Sequence, residues 1–231
     1  MTEQIKGMLF DKDGTLFDFQ TTWGAWAKRF FLDIAFGDRL LAANISRQLG
    51  YDYETEKFSK DSVIIAGTPD EVTAALIEVT PGWEADKLVA HVNKVTMEVP
   101  QSEPVPLIPL LEGFRAQGLK LGVATNDAEA PARAHLNGAG ITYLFDFIAG
   151  FDSGFGAKPA TGMQIGFCEA VNLEPSQVMM IGDSTHDLIS GRDAGMMTVA
   201  VLTGMAEAHE LAPFADVVLQ HIGEIPALMA R

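Results

Sequence analysis

Met8-Leu9-Phe10-Asp11-Lys12-Asp13-Gly14-Thr15-Leu16-Phe17-Asp18 sets two carboxylates, one residue apart, at the end of a short apolar run. The run from Ile5 to Phe10 has the length and composition of a buried strand in a parallel sheet, and Gly14 then turns the chain. In open α/β sheets ligands bind beyond the carboxyl ends of the strands, so such a strand delivers Asp11 and Asp13 to the place where these folds do chemistry. Carboxylates this close repel, and one takes up a proton unless a cation compensates. A divalent metal is the simplest compensation. Asp-x-Asp-Gly is also ordinary turn chemistry, and by itself the stretch does not separate a surface turn from a site.

A second acidic cluster far down the chain changes the weight. Ile181-Gly182-Asp183-Ser184-Thr185-His186-Asp187 again follows an apolar run, Val178 to Ile181. With a helix starting near Ser184, Asp187 lies about one turn past Asp183, so both carboxylates face one crevice. Between the clusters come Val123-Ala124-Thr125-Asn126, a strand ending in a hydroxyl and an amide, and Lys158-Pro159, a lone cation with a helix-starting proline. Most lysines are merely exposed; the place of Lys158 in this ordered set argues otherwise.

The set resembles the haloacid dehalogenase-like hydrolase superfamily at each of its four motifs: Asp11-Lys12-Asp13-Gly14-Thr15, Thr125, Lys158, and Gly182-Asp183 with Asp187. The resemblance runs from Ile5 to about Asp216. The second Asp of the first motif is similar to phosphatases and phosphomutases rather than dehalogenases, and phosphoglycolate phosphatase is the subgroup it most resembles. The resemblance implies that Asp11 is a nucleophile forming an aspartyl-phosphate and that Asp13 is the general acid and base. It makes Thr125, Asn126 and Lys158 the groups that bind the transferring phosphoryl. It implies Mg2+ held by the Asp11 and Asp183 side chains and the Asp13 carbonyl, with Asp187 acting directly or through water. An acid working near neutral pH needs a raised pKa, and burial beside other carboxylates is expected to raise that of Asp13. His186 is expected to be peripheral, and Thr15, Asp18, Ser184 and Arg192 to orient loops.

The 231 residues suffice for one large domain or a core with an insertion. Sixteen basic against 31 acidic residues give a formal charge of -15, which repels nucleic acid and anionic membrane. The partner expected is a small phosphorylated metabolite, with no nucleic acid, no membrane, and a monomer or homodimer as the assembly. The single cysteine, Cys168, excludes a disulfide framework and reads as a small core residue. Met1 to Gln4 lead straight into the first strand with no signal peptide, and no apolar run reaches transmembrane length, so the expected location is cytoplasmic.

From Phe19 to about Val99 the apolar spacing becomes helical. Trp23, Trp26, Phe30 and Phe31 mark one helix face, Thr68-Pro69-Asp70-Glu71 is a capping box, and Trp83 to Met97 is a further helix. This insertion lies where the resembling family carries a C1 cap. Strands and helices then alternate. Helices are expected over Leu107 to Ala116 and Ala128 to Gly138, and strands over Leu119 to Thr125, Phe147 to Gly150, Val178 to Ile181, Thr198 to Leu202 and Val217 to Leu219. The expected architecture is α/β: a doubly wound parallel sheet of Rossmann-like type (1–17 and 101–231) with an inserted all-helical cap (18–100). Arg47, Lys57 and Lys60 are candidates to meet an anionic substrate tail. The favoured function is a magnesium-dependent phosphatase of a small, phosphoglycolate-like monoester. The alternatives are a phosphomutase of the β-phosphoglucomutase kind, a phosphonate hydrolase using a cap lysine, and a phosphoaccepting switch. The second carboxylate and the large insertion argue against the switch.

Overall fold

The computed structural model describes residues 5–59 and 62–230. The expectation for Met1 to Gln4, and the candidate Lys60, lie outside the described residues.

Six parallel strands form the central sheet in the order β5-β4-β1-β6-β7-β8. They are β1 (Gly7–Phe10), β4 (Lys120–Ala124), β5 (Phe147–Ala149), β6 (Val178–Gly182), β7 (Met197–Val201) and β8 (Val217–Leu219). After β1 the chain builds the sheet outward on one side through β4 and β5, then crosses back to place β6 on the other side of β1. The switch point therefore falls at β1, where an open α/β sheet leaves its ligand crevice. In register, Phe10 stands opposite both Val123 and Ile181. The residues that follow, Asp11, Ala124-Thr125 and Gly182-Asp183, therefore emerge at one level of the sheet's carboxyl edge. The Asp11 N–H donates to the Ile181 carbonyl at 2.8 Å, carrying the pairing one residue further.

The strands are apolar throughout because both faces are covered. Met8, Phe10, Leu121, Val123, Met179 and Ile181 pack on one side with α6 (Leu107–Ala116) and α11 (Ile225–Met229), where Leu111, Phe114 and Ile225 meet them. Leu9, Ala124 and Met180 face the other side, against Met163 and Phe167 of α8 (Gly162–Val171). Cys168 lies in this second layer, where burial pushes its thiol up to about 11. The remaining helices of the sheet domain are α7 (Glu129–Gly138), α9 (Thr185–Asp193) and α10 (Ala208–Leu211).

Between β1 and α6 come α1 (Phe19–Ile34), α2 (Arg39–Gln48), α3 (Val63–Ala66), α4 (Pro69–Val79) and α5 (Ala85–Thr96). The insertion also carries a short antiparallel ribbon that helical spacing does not reveal, β2 (Tyr51–Asp52) with β3 (Lys57–Phe58). It has a core of its own, in which Phe31, Ile34, Ile45, Tyr51, Phe58 and Leu88 are buried. The capping box at Thr68 is present, with Glu71 bonding back to the Thr68 N–H. The two connections between insertion and sheet run side by side: the Asp18 N–H donates to the Ser102 carbonyl at 2.8 Å, and the Ser102 N–H to the Thr22 hydroxyl at 3.2 Å. Among the described residues no helix is long and apolar enough to cross a membrane.

Candidate active site

Asp11 follows β1, and Lys158 reaches it from the loop after β5. The Lys158 Nζ donates to Asp11 Oδ1 at 2.6 Å, to Asp187 Oδ1 at 2.6 Å and to the Ala124 carbonyl at 2.8 Å. Burial works against a charged lysine, but the Asp11 and Asp187 carboxylates outweigh it and raise the Lys158 pKa. The loop is fixed by Asn126, whose side-chain amide donates to the Lys158 carbonyl at 3.0 Å and accepts from the Lys158 N–H at 2.8 Å. The Asn126 amide thus positions the lysine's main chain. Pro159 does not begin a helix; α8 starts at Gly162.

Asp183 and Asp187 come from the turn after β6. Ser184 caps α9, and its N–H and hydroxyl donate to Asp187 Oδ2 at 3.0 and 2.7 Å. Both oxygens of Asp187 are therefore engaged. Asp183 accepts from the Thr15 hydroxyl at 3.3 Å and lies so close to the chain at Gly14 that a Cβ there would overlap its carboxylate. Gly14 also has φ +83°, a region that favours glycine.

Oxygens of Asp11, Asp183 and Asp187 lie within 4.8 Å of one another, and all three residues are buried. One ammonium faces three carboxylates. Burial first, then the neighbouring Asp187, pushes Asp11 up to about 7 although Lys158 pulls it down, and burial with Asp11 raises Asp183 well above the ordinary range. Such an excess of buried negative charge, presented by hard oxygen donors at the mouth of a cleft, fits a Mg2+-like cation. The Thr125 hydroxyl accepts from the Asp127 N–H at 3.1 Å, which leaves its own proton to donate elsewhere.

Asp13 points to a different set of partners. The Lys12 Nζ lies 2.5 Å from Asp13 Oδ2, and the Trp23 indole N–H donates to Asp13 Oδ1 at 3.0 Å. The expected rise of the Asp13 pKa is reversed. Burial does push it up, but the Lys12 ammonium and the Trp23 bond together overcome it and hold the carboxyl below its usual range. Lys12 has no solvent exposure and also faces Asp127 at 3.3 Å and His135 Nδ1 at 3.0 Å. Burial raises Asp127 to about 6, with Lys12 restraining it. His135 Nε2 lies 2.6 Å from the Thr96 carbonyl. A carbonyl only accepts, so the proton sits on Nε2 and Nδ1 receives Lys12. The imidazole is neutral, lowered to about 4 by burial and by Lys12. His135 of α7 thereby ties the sheet domain to the last turn of α5.

Sequence reasoning missed Lys12, Asp127, His135 and Trp23. The sequence carried no signal for them, because a lysine is ordinarily exposed and the partners Asp127 and His135 lie far along the chain. His186 lines the cleft, and its buried Nδ1 has no hydrogen-bond partner among the described residues. Thr15, Asp18 and Ser184 orient loops and caps as expected, and Arg192 donates to the Pro213 carbonyl at 3.1 Å. Arg47 and Lys57 line a separate depression with Tyr51 and Tyr53, away from the cleft.

A model of the family described as haloacid dehalogenase-like hydrolase matches residues 8–201. The chain is 29% identical over 230 residues to a phosphoglycolate phosphatase of Aquifex aeolicus, with 97% of each chain covered. It is 22% identical over 231 residues to the pyrophosphatase PpaX of Bacillus mycoides, covering 99% of this chain and 98% of the relative. Its fold is similar to the crystal structure of a predicted phosphoglycolate phosphatase from Haemophilus somnus 129pt. There the TM-score is 0.73 and the identity 19%, over 97% of this chain and 98% of that one.

Proposed function

The chain belongs to the haloacid dehalogenase-like hydrolase family, and from that membership we propose that it is a magnesium-dependent phosphatase that hydrolyses a small phosphate monoester through an aspartyl-phosphate on Asp11. The two full-length relatives are named for hydrolysing different phosphorylated compounds, which supports the reaction class and leaves the ester open. Phosphoglycolate is one member of that class. The observation that carries the reading is the Lys158 ammonium 2.6 Å from Asp11 at the sheet's switch point, with Asp183 and Asp187 beside it.

In this reading Asp11 attacks phosphorus in line through its Oδ2, since Oδ1 is held by Lys158, and the bond from phosphorus to the ester oxygen breaks. Lys158 and the Thr125 hydroxyl meet the charge that gathers on the phosphoryl oxygens. The leaving oxygen takes a proton from Asp13. In the second half Asp13 takes a proton from water, whose oxygen attacks phosphorus and releases Asp11. Mg2+ held by the Asp11 and Asp183 side chains and the Asp13 main-chain carbonyl, with Asp187 supporting it directly or through water, would neutralise phosphoryl charge and keep Asp11 ionised. Lys12 keeps Asp13 ionised in the present arrangement, which suits the base step. To act as the acid, Asp13 must gain a proton and part from Lys12 and Trp23. Trp23 belongs to α1, so that release is coupled to movement of the insertion.

We place the boundary between sheet domain (1–17 and 101–231) and cap (18–100) at the paired connections near Asp18 and Ser102, supported by the separate hydrophobic cores. A phosphonate hydrolase working through Lys57 is disfavoured by that residue's position outside the cleft. One buried thiol and a strongly acidic chain suit the cytoplasm. The test is phosphate release from a panel of small esters, with Mg2+ and with chelator, for the native chain and Asp11→Asn. Metal-dependent release lost in the variant supports the reading, and a folded, metal-loaded protein that releases none from any ester refutes it.

A further inference from the structure

We infer that the ester hydrolysed here carries an uncharged, ring-sized apolar leaving group; this deepens the phosphatase reading and rests on it. The cleft above Asp11 is walled by Trp23, Trp26 and Phe30 of α1, by Ile64 and Ile65 of α3, and by Val92 of α5. Trp26 and Phe30 stack with centroids 4.9 Å apart and planes 11° apart, and Trp23 meets Trp26 edge-on at 5.1 Å. The indole N–H of Trp23 is already given to Asp13. The cleft therefore offers a leaving group ring faces and aliphatic carbon. The free volume of the whole cleft, its phosphoryl end included, is about 110 Å³, which limits the leaving group to about ring size, against the roughly 150 Å³ apolar cavity that accepts benzene.

Charge points the same way. Among the described residues lining the cleft the acidic groups are Asp11, Asp13, Asp127 and Asp183, and the one lysine or arginine is Lys158. That lysine is closed off by two carboxylates and a carbonyl. Lys12 is buried beneath the floor with Asp13 and Asp127. Arg47 and Lys57 lie around the other depression, and Lys28 pairs with Glu56 at 2.8 Å. A second anionic group on the substrate, such as a carboxylate or a further phosphate, would enter a field of carboxylates where, among the described lining residues, no lysine or arginine is free to pair with it and the uncommitted nitrogen is that of His186. A buried charge without an opposite charge is strongly disfavoured. An apolar ring instead gains contact area on every wall.

The test compares kcat/KM of the Mg2+-loaded protein for benzyl phosphate, ethyl phosphate and phosphoglycolate. All three release an alkoxide, so binding rather than leaving-group chemistry dominates the ranking. Benzyl phosphate should exceed ethyl phosphate by at least roughly ten-fold, the scale that differences of a few carbons produce in an apolar pocket, and exceed phosphoglycolate by more. Trp26→Ala should move the benzyl-to-ethyl ratio toward unity. Ile64→Arg should raise phosphoglycolate relative to benzyl phosphate by about ten-fold or more, as one charge pair at a desolvated site allows. Ratios taken on one preparation do not depend on the fraction folded. Phosphoglycolate equal to or better than benzyl phosphate in the native chain overturns the inference and leaves the phosphatase reading standing. Failure of all three esters to exceed the chelator control overturns both.

Discussion

Replacing Lys12 by methionine keeps the length of the side chain and removes only the ammonium. The lost partners are Asp13 at 2.5 Å, Asp127 at 3.3 Å and His135 at 3.0 Å, around a lysine with no solvent exposure. Breaking a buried pair from one side costs roughly 3–5 kcal/mol, because the other charge stays buried without compensation. For a chain of this size each kcal/mol moves Tm by about 2–4 °C, so the expected loss is about 6–20 °C. The sign of the pH dependence follows from the carboxyls. Lys12 holds Asp13 below its usual range and restrains Asp127 from rising beyond about 6. A carboxyl depressed in the fold contributes stability above its unfolded pKa of about 4, and that contribution fades as pH falls. Without the lysine both carboxyls rise, so the deficit of Lys12→Met is small near pH 4 and widens through about pH 8. The assay is thermal melting of both proteins in chelator across that range. A variant melting within about 2 °C of the native chain at pH 8, or a gap that narrows as pH rises, refutes the buried-cluster reasoning.

Three further outcomes are expected. A Cβ at Gly204 would overlap the Asp183 carboxylate, so Gly204→Ala should lower kcat/KM by about a hundred-fold, the scale of a 1 Å misplacement, with unchanged far-ultraviolet dichroism; retained activity would show that Asp183 is not held in place there. Asp11 is raised to about 7, and a raised carboxyl loses its stabilising contribution as pH rises to that value. Melting in chelator should therefore fall between about pH 4, the unfolded pKa, and about pH 7, added Mg2+ should reverse the fall, and a flat profile would remove the case for excess negative charge. Asp11→Asn removes one of the crowded carboxylates while Lys158 keeps Asp187 and the Ala124 carbonyl, so in chelator at pH 8 it should melt above the native chain; a lower melting temperature would contradict that trade of stability for function.

The ends of the strands were legible because buried parallel strands announce themselves as apolar runs that stop at polar residues. Val178 to Ile181 and Val217 to Leu219 read nearly as they stand, and Thr68 was legible because a capping box is local chemistry. The meeting of Asp11, Lys158, Asp183 and Asp187 was legible only as an ordered set resembling a known family, since spacing alone does not state which strands are neighbours. The Lys12 cluster was not legible. Its partners lie 115 and 123 residues away at Asp127 and His135, and a single sequence gives no sign that the lysine turns inward. For the same reason the sign of the Asp13 shift was missed: the adjacent carboxylate was visible, and the inward turn of Lys12 onto Asp13 and the indole bond from α1 were not. The ribbon of Tyr51 and Phe58 was hidden because two-residue strands carry no period.

The central claim is that phosphate passes through Asp11. The measurement is rapid acid quenching of the Mg2+-loaded protein during turnover of a 32P-labelled ester, followed by peptide mapping of the bound label. The account predicts label in the peptide containing Asp11 during turnover, absent from Asp11→Asn along with phosphate release. Turnover that persists in Asp11→Asn, or label that maps to any other residue, would contradict it.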